Sequence, residues 1–244
     1  MKRFLLICIL LFTIVGCASP DTPTIRILFI GNSYTYVNDL PKMFSKLAKS
    51  GGQRVKTAMS ARGGWSLSDH VKSSETLGML ESSTWDYVVL QEQSQIPASD
   101  IFREREMYSA ARTLVSKIRD AGAEPIFFLT WAHLNGWPDM GLMGYDAMQY
   151  QINAGYYGIA QELNAIVAPV GVAWSSARGQ NPDLLLWQAD GSHPDEQGTY
   201  LAACVFYAVI FHESPLGINY RGNLSRDVAE MLQTVASRTV LNIP

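Results

Sequence analysis

The sequence predicts an α/β fold, with a parallel sheet buried between helices on its two faces. Short runs of β-branched, aliphatic and aromatic residues, the first at 25–30, lack the polar alternation of a half-solvated strand and suit strands covered on both sides. These runs alternate with segments of ten to twenty residues that carry apolar side chains at helical spacing, the arrangement of βαβ crossovers. With 48% hydrophobic and 17% charged residues in 244, the chain has the composition of an ordinary globular protein and the length for one sizeable core.

Residues 1–16 read as an export leader, because Lys2 and Arg3 precede an apolar run at 4–15 that is too short to span a bilayer as a mature helix. The run ends Ile14-Val15-Gly16-Cys17, which resembles the bacterial lipobox; that resemblance implies that Cys17 is lipidated and anchors the protein in the cell envelope. Residues 17–24 then form a tether, with two prolines and few large apolar groups, and 25–244 form the domain. With Cys8 in the leader and Cys17 lipidated, Cys204 is the remaining thiol, and its apolar run at 200–211 makes it a small buried hydrophobe.

In chain order, the strand at 25–30 stops at Gly31 and delivers Ser33 to a loop. Asn38-Asp39-Leu40-Pro41 supplies a cap candidate and a first-turn proline for a helix with Phe44 and Leu47 at helical spacing, closed by Ser50-Gly51-Gly52. A second strand is expected at 55–59, a loop at 60–64, and partial helix at 67–80. The third strand, 85–91, runs into the polar stretch Gln91-Glu92-Gln93-Ser94-Gln95. A surface helix at 100–121 turns Tyr108, Ala111, Leu114, Val115 and Ile118 to the core. A fourth strand (125–130), a helix (145–163) and a fifth strand (165–170) follow. In such sheets ligands bind beyond the carboxyl ends of the strands, so the loops at Ser33, Gly63-Gly64 and Gln91–Gln95 are expected to line one crevice.

Near the C-terminus, Asp190-Gly-Ser-His193-Pro194 reads as a turn with Pro194 opening the next helix. The turn lets the Asp190 carboxylate accept from one nitrogen of His193 while the other faces outward as a base. Gly31-Asn-Ser33 after the first strand, with Asp190-x-x-His193 before the last helices, resembles the GDSL/SGNH hydrolase superfamily over residues 25–211. The resemblance implies a three-layer α/β/α sandwich around about five parallel strands, with Ser33 as nucleophile, His193 as base and Asp190 as its orienting carboxylate. It further implies an oxyanion hole from the backbone N–H groups of Ser33 and Gly64, with Gly63 the second match.

The family's Gly-x-Asn block is absent: the chain has Gln91-Glu-Gln-Ser-Gln95, similar to the Gln-Gly-Glu-Ser block of carbohydrate O-acetylesterases. That match implies Gln91 as the side-chain donor, whereas direct alignment favours Gln93 or Gln95. The implied activity is hydrolysis of small acyl esters on carbohydrate, without a cofactor. A lipase-type acylhydrolase and a glycan-binding lipoprotein without turnover are the alternatives. A net charge of −3 and the lack of long Lys/Arg clusters argue against nucleic acid. His70, His133 and His212 have no metal-ligand spacing. Trp131 and Trp137 are expected either to line the crevice or to pack, and Trp174 and Trp187 to serve as core or pocket wall.

Overall fold

The computed structural model describes residues 23–242, so the leader and Cys17 lie outside the described residues. Strand β1 (Ile25–Gly31) leads into a single helical turn, α1 (Ser33–Tyr36), and then α2 (Leu40–Ser50). Strand β2 (Val55–Ala61), helices α3 (Leu67–Lys72) and α4 (Ser74–Glu81), and strand β3 (Tyr87–Leu90) follow. The next helical segment comprises α5 (Asp100–Phe102), a wide turn at Arg103–Tyr108 and α6 (Ser109–Asp120). Strand β4 (Glu124–Phe128) precedes a small hairpin, β5 (Gly136–Trp137) and β6 (Leu142–Met143). Helix α7 (Gly144–Leu163), strand β7 (Ile166–Ala168) and helices α8 (Val170–Gln180), α9 (Glu196–Phe211) and α10 (Arg226–Leu241) complete the fold.

The central sheet has the order β2-β1-β3-β4-β7 and is parallel throughout, as the sequence predicts. Alternate strand residues enter opposite cores. Ile27, Phe29, Ile126 and Phe128 meet α2, α8, α9 and α10, whereas Leu28, Ile30, Val88 and Phe127 meet α3, α4, α6 and α7. The result is the three-layer sandwich.

Register positions the site. Ile30 pairs with Ser60 on one side and Leu90 on the other, so β1, β2 and β3 end level. The chain turns from β1 to β2 on one flank and to β3 on the other, which makes the end of β1 a topological switch point.

Four local departures from the sequence reading have physical causes. The Ser33 loop is a helical turn, because the Asn32 side chain accepts from the Tyr34 N–H at 3.1 Å and caps it. The expected helix at 67–80 is two helices, divided at Ser73, whose hydroxyl caps Thr76. The helix at 100–121 widens at Arg103–Tyr108, bringing the consecutive residues Met107 and Tyr108 to the buried side. The fifth strand stops at Ala168, and Val170 already belongs to α8. Helices α8 and α10 have no counterpart among the elements expected from the sequence. Helix α10 and α2 cover α9, which is why every residue from Gly198 to Ile210 is buried and its sequence carries no amphipathic signal.

Candidate active site

Gly31 ends β1 without a side chain, and the space is used: a Cβ there would lie 2.5 Å from Gln91 Oε1 and from Thr35 Oγ1. The Gln91 carboxamide therefore rests on the Gly31 backbone. Its Oε1 accepts from the Asn32 N–H at 2.8 Å and from the Thr35 hydroxyl at 2.9 Å. Its Nε2 donates to the Glu92 carbonyl at 2.5 Å, and the side chain is wholly buried. The sequence reading makes Gln91 an oxyanion donor; in the structure its amide is turned inward and committed to holding the serine turn.

Asn32 stands where the family block has aspartate, and the amide matters. Its Oδ1 caps α1, while its Nδ2 donates to the Trp65 carbonyl at 2.8 Å, a bond that a carboxylate could not make. The loop of Gly63 and Gly64 is thus tied directly to the serine turn. Gly64 has φ +74°, a backbone that disfavours other residues, and both glycines are exposed. Beneath them His70 is fully buried, with Nε2 2.8 Å from the Gly31 carbonyl and Nδ1 2.9 Å from Thr76 Oγ1. Since a carbonyl only accepts, Nε2 carries the proton. Burial lowers the His70 pKa, so the ring stays neutral.

Ser33 Oγ lies 2.9 Å from His193 Nε2, and His193 Nδ1 lies 2.5 Å from Asp190 Oδ2. The other Asp190 oxygen accepts from the N–H groups of Ser192 and His193 at 2.9 and 3.0 Å, so the carboxylate closes its own turn, with Gly191 at φ +67°. Burial pushes the Asp190 pKa upward, but these hydrogen bonds from His193 and the two backbone groups outweigh it, and the carboxyl titrates below its ordinary range. An ionised Asp190 accepts from Nδ1–H, which leaves the Nε2 lone pair facing the serine hydroxyl. Pro194 pairs with Trp187 instead of opening the helix, which begins at Glu196.

The rest of the third block folds on itself. Gln93 Oε1 accepts from the N–H groups of Gln95 and Ile96 at 2.8 and 3.2 Å, leaving Nε2 with a long 3.4 Å approach to Ser94 Oγ. Ser94 Oγ is 3.1 Å from His133 Nε2, and Tyr34 OH is 2.8 Å from Ser192 Oγ. Leu134 N–H donates to the Gly191 carbonyl at 2.8 Å, so the loop after β4 flanks the Asp190 turn. Trp131 is packing: it is fully buried and stacks on Tyr34 at 4.5 Å and on Trp174 at 4.0 Å. Trp174 is likewise core, while Trp187 and Trp137 are partly buried. Cys204 is buried, which pushes its thiol far up and leaves it inert. Among the described residues, no group of three or more His, Cys, Asp or Glu side chains is placed to hold a metal ion.

The supporting residues Thr35, His70 and Glu92, and the inward role of Gln91, went unread because none belongs to a periodic pattern. Only Ser66-x-x-Asp69, a capping box observed in the structure, marks the helix that carries His70.

No protein-family model matches the chain, and no curated protein matches it. Solved structures do match. An inferred SGNH hydrolase from Slackia heliotrinireducens is 29% identical, with a TM-score of 0.65 over 77% of this chain and 100% of that one. A DUF4886 family protein from Bacteroides uniformis is 20% identical, with a TM-score of 0.78 over 90% of this chain and 95% of that one. An acetyl xylan esterase is 15% identical, with a TM-score of 0.61 over 76% of this chain and all of that one. The structural neighbours of this chain are SGNH/GDSL hydrolases and esterases, and the chain has their fold.

Proposed function

We propose that the chain is an SGNH-type serine esterase that removes small acyl groups, acetyl foremost, from carbohydrate. The observation that carries this reading is the continuous relay from Ser33 Oγ through His193 to Asp190 at the switch point of the sheet. Ser33 Oγ attacks the ester carbonyl as His193 Nε2 takes its proton, and Asp190 stabilises the imidazolium that forms. His193 returns the proton to the departing alcohol oxygen, leaving an acyl-serine. A water molecule, deprotonated by the same nitrogen, then releases the acid. The backbone N–H groups of Ser33 and Gly64 are the proposed oxyanion donors. Gln93 is the side-chain candidate, since Gln91 is engaged elsewhere.

The carbohydrate preference is supported by the glutamine-rich block and by the fold shared with an acetyl xylan esterase. A longer-chain acylhydrolase is the second reading, favoured by exposed Leu134, Met140 and Met143 on and beside the β5–β6 hairpin. We also propose that Cys17 carries a lipid anchor to the cell envelope; Cys17→Ser is expected to move the protein from the membrane to the soluble fraction.

The test is hydrolysis of p-nitrophenyl esters from acetate to long acyl chains by the purified protein. Turnover of acetate that disappears in Ser33→Ala and His193→Ala supports the esterase. Equal rates in all three proteins would leave a glycan-binding protein without turnover, and a preference for long chains would favour the acylhydrolase.

A further inference from the structure

Glu92 lies between the two loops that flank the serine, and the relay described above does not use it. Its side chain is fully buried. Oε1 accepts from the Leu67 N–H at 3.1 Å and from the Gln93 N–H at 2.6 Å. Leu67 opens the helix that follows the Gly63-Gly64 loop, and Gln93 sits in the third block, so this oxygen joins the two proposed oxyanion loops. Oε2 has no hydrogen-bond partner. The Tyr156 hydroxyl accepts from the Glu92 backbone N–H at 3.1 Å and gives the carboxyl nothing.

A carboxylate left in such a place would have half its charge unsatisfied, at a cost that buried ions ordinarily avoid by taking a proton. The charged groups facing it are Glu106 on the wide turn and Asp69 on α3, both of a sign that opposes ionisation. Burial, with these neighbours, raises the Glu92 pKa to about 8.

We propose that Glu92 is a positioning residue that works as the neutral acid, clamping the Gly64 loop to the Gln93 loop, and that its ionisation releases the clamp and lowers esterase activity in alkali. As pH rises the proton leaves the Oε2 hydroxyl for solvent, and the charge draws water between the loops. An alkaline decline in activity is therefore expected, one that follows the ionisation of Glu92 and is absent when the side chain at this position cannot titrate.

The inference rests on the esterase reading for its kinetic arm and on folding alone for its second arm. The experiment compares wild type, Glu92→Gln and Glu92→Ala from pH 5 to 10, recording kcat and KM for p-nitrophenyl acetate and the thermal midpoint at each pH. Glutamine keeps the shape and the carbonyl acceptor without a titrating proton. Expected are a wild-type kcat that declines above about pH 8, a Glu92→Gln variant within a few-fold of wild type at pH 7 with a level alkaline limb, and at least a tenfold loss of kcat in Glu92→Ala. The midpoint of Glu92→Gln should rise relative to wild type as pH increases from 5 to 9. The same alkaline decline in wild type and Glu92→Gln, or a midpoint difference independent of pH, overturns the proposal. Absence of turnover in every protein overturns the esterase reading instead, and the midpoints still decide the state of Glu92.

Discussion

Ser33 and His193 meet at 2.9 Å, yet they are held there by different means. The serine turn is fixed from a distance: Gln91, Trp65 and His70, each more than thirty residues away, bond to Asn32, Thr35 or the Gly31 carbonyl. The histidine ring is oriented by its own turn, in which Asp190 reaches residues two and three places along, while Tyr34, Trp131 and Leu134 tether only Gly191 and Ser192 of that turn. The first support is buried; the second is partly open, with the side chains of His193 and Asp190 35% and 47% exposed. Damage to the first is therefore expected to cost folding as well as catalysis, and damage to the second catalysis alone.

The largest effect should come from the local side. Asp190→Asn keeps an oxygen to close the turn but inverts the tautomer of His193, and kcat is expected to decrease about 10⁴-fold. Thermal unfolding should show almost no change; a large loss of stability would break the contrast. On the distant side, Gln91→Leu removes the acceptor for two buried donors, the Asn32 N–H and the Thr35 hydroxyl. It is expected to lower stability by about 1–3 kcal/mol per orphaned group and kcat about 10²-fold, through displacement of Ser33. Denaturant midpoints read beside kcat separate the two effects. The smallest is Asn32→Asp, which retains the α1 cap and loses the donor to Trp65. It should cost about 1–3 kcal/mol, and its kinetic loss should remain below that of Gln91→Leu if the Gly64 loop has other restraints.

Acid sharpens the same contrast. The folded-state pKa of His70 is depressed, so its contribution to stability is present above about 6.5 and is lost as pH decreases through the lower folded value. Replacement by glutamine, which can still donate to the Gly31 carbonyl, should flatten that part of the stability profile.

The same division decided what could be read from the sequence. The strands and their order as βαβ units were legible because burial on both faces leaves unbroken apolar runs. The Asp190–His193 geometry was legible because a turn of four residues constrains its own ends. The support of Ser33 was not, since nothing in Gln91 reveals which way its amide points until β3 lies beside β1. The space above Gly31 that admits this amide is likewise set by pairing between strands about sixty residues apart. Helix α9 is recognisable as an apolar run, whereas α10, which covers it, lies beyond the stretch 25–211 that the family resemblance spans. The Asn32 amide was visible only as a departure from Gly-Asp-Ser; its bond to Trp65 gives the departure a physical use.

The central claim, that Ser33 is a nucleophile activated by His193, is tested most directly by covalent capture. Wild-type protein treated with a fluorophosphonate is expected to gain one equivalent of the phosphonyl group, located by peptide mass spectrometry on Ser33, with labelling strongly slowed in His193→Ala and absent in Ser33→Ala. Labelling that is absent from wild type, falls on another residue, or persists in Ser33→Ala would contradict the account.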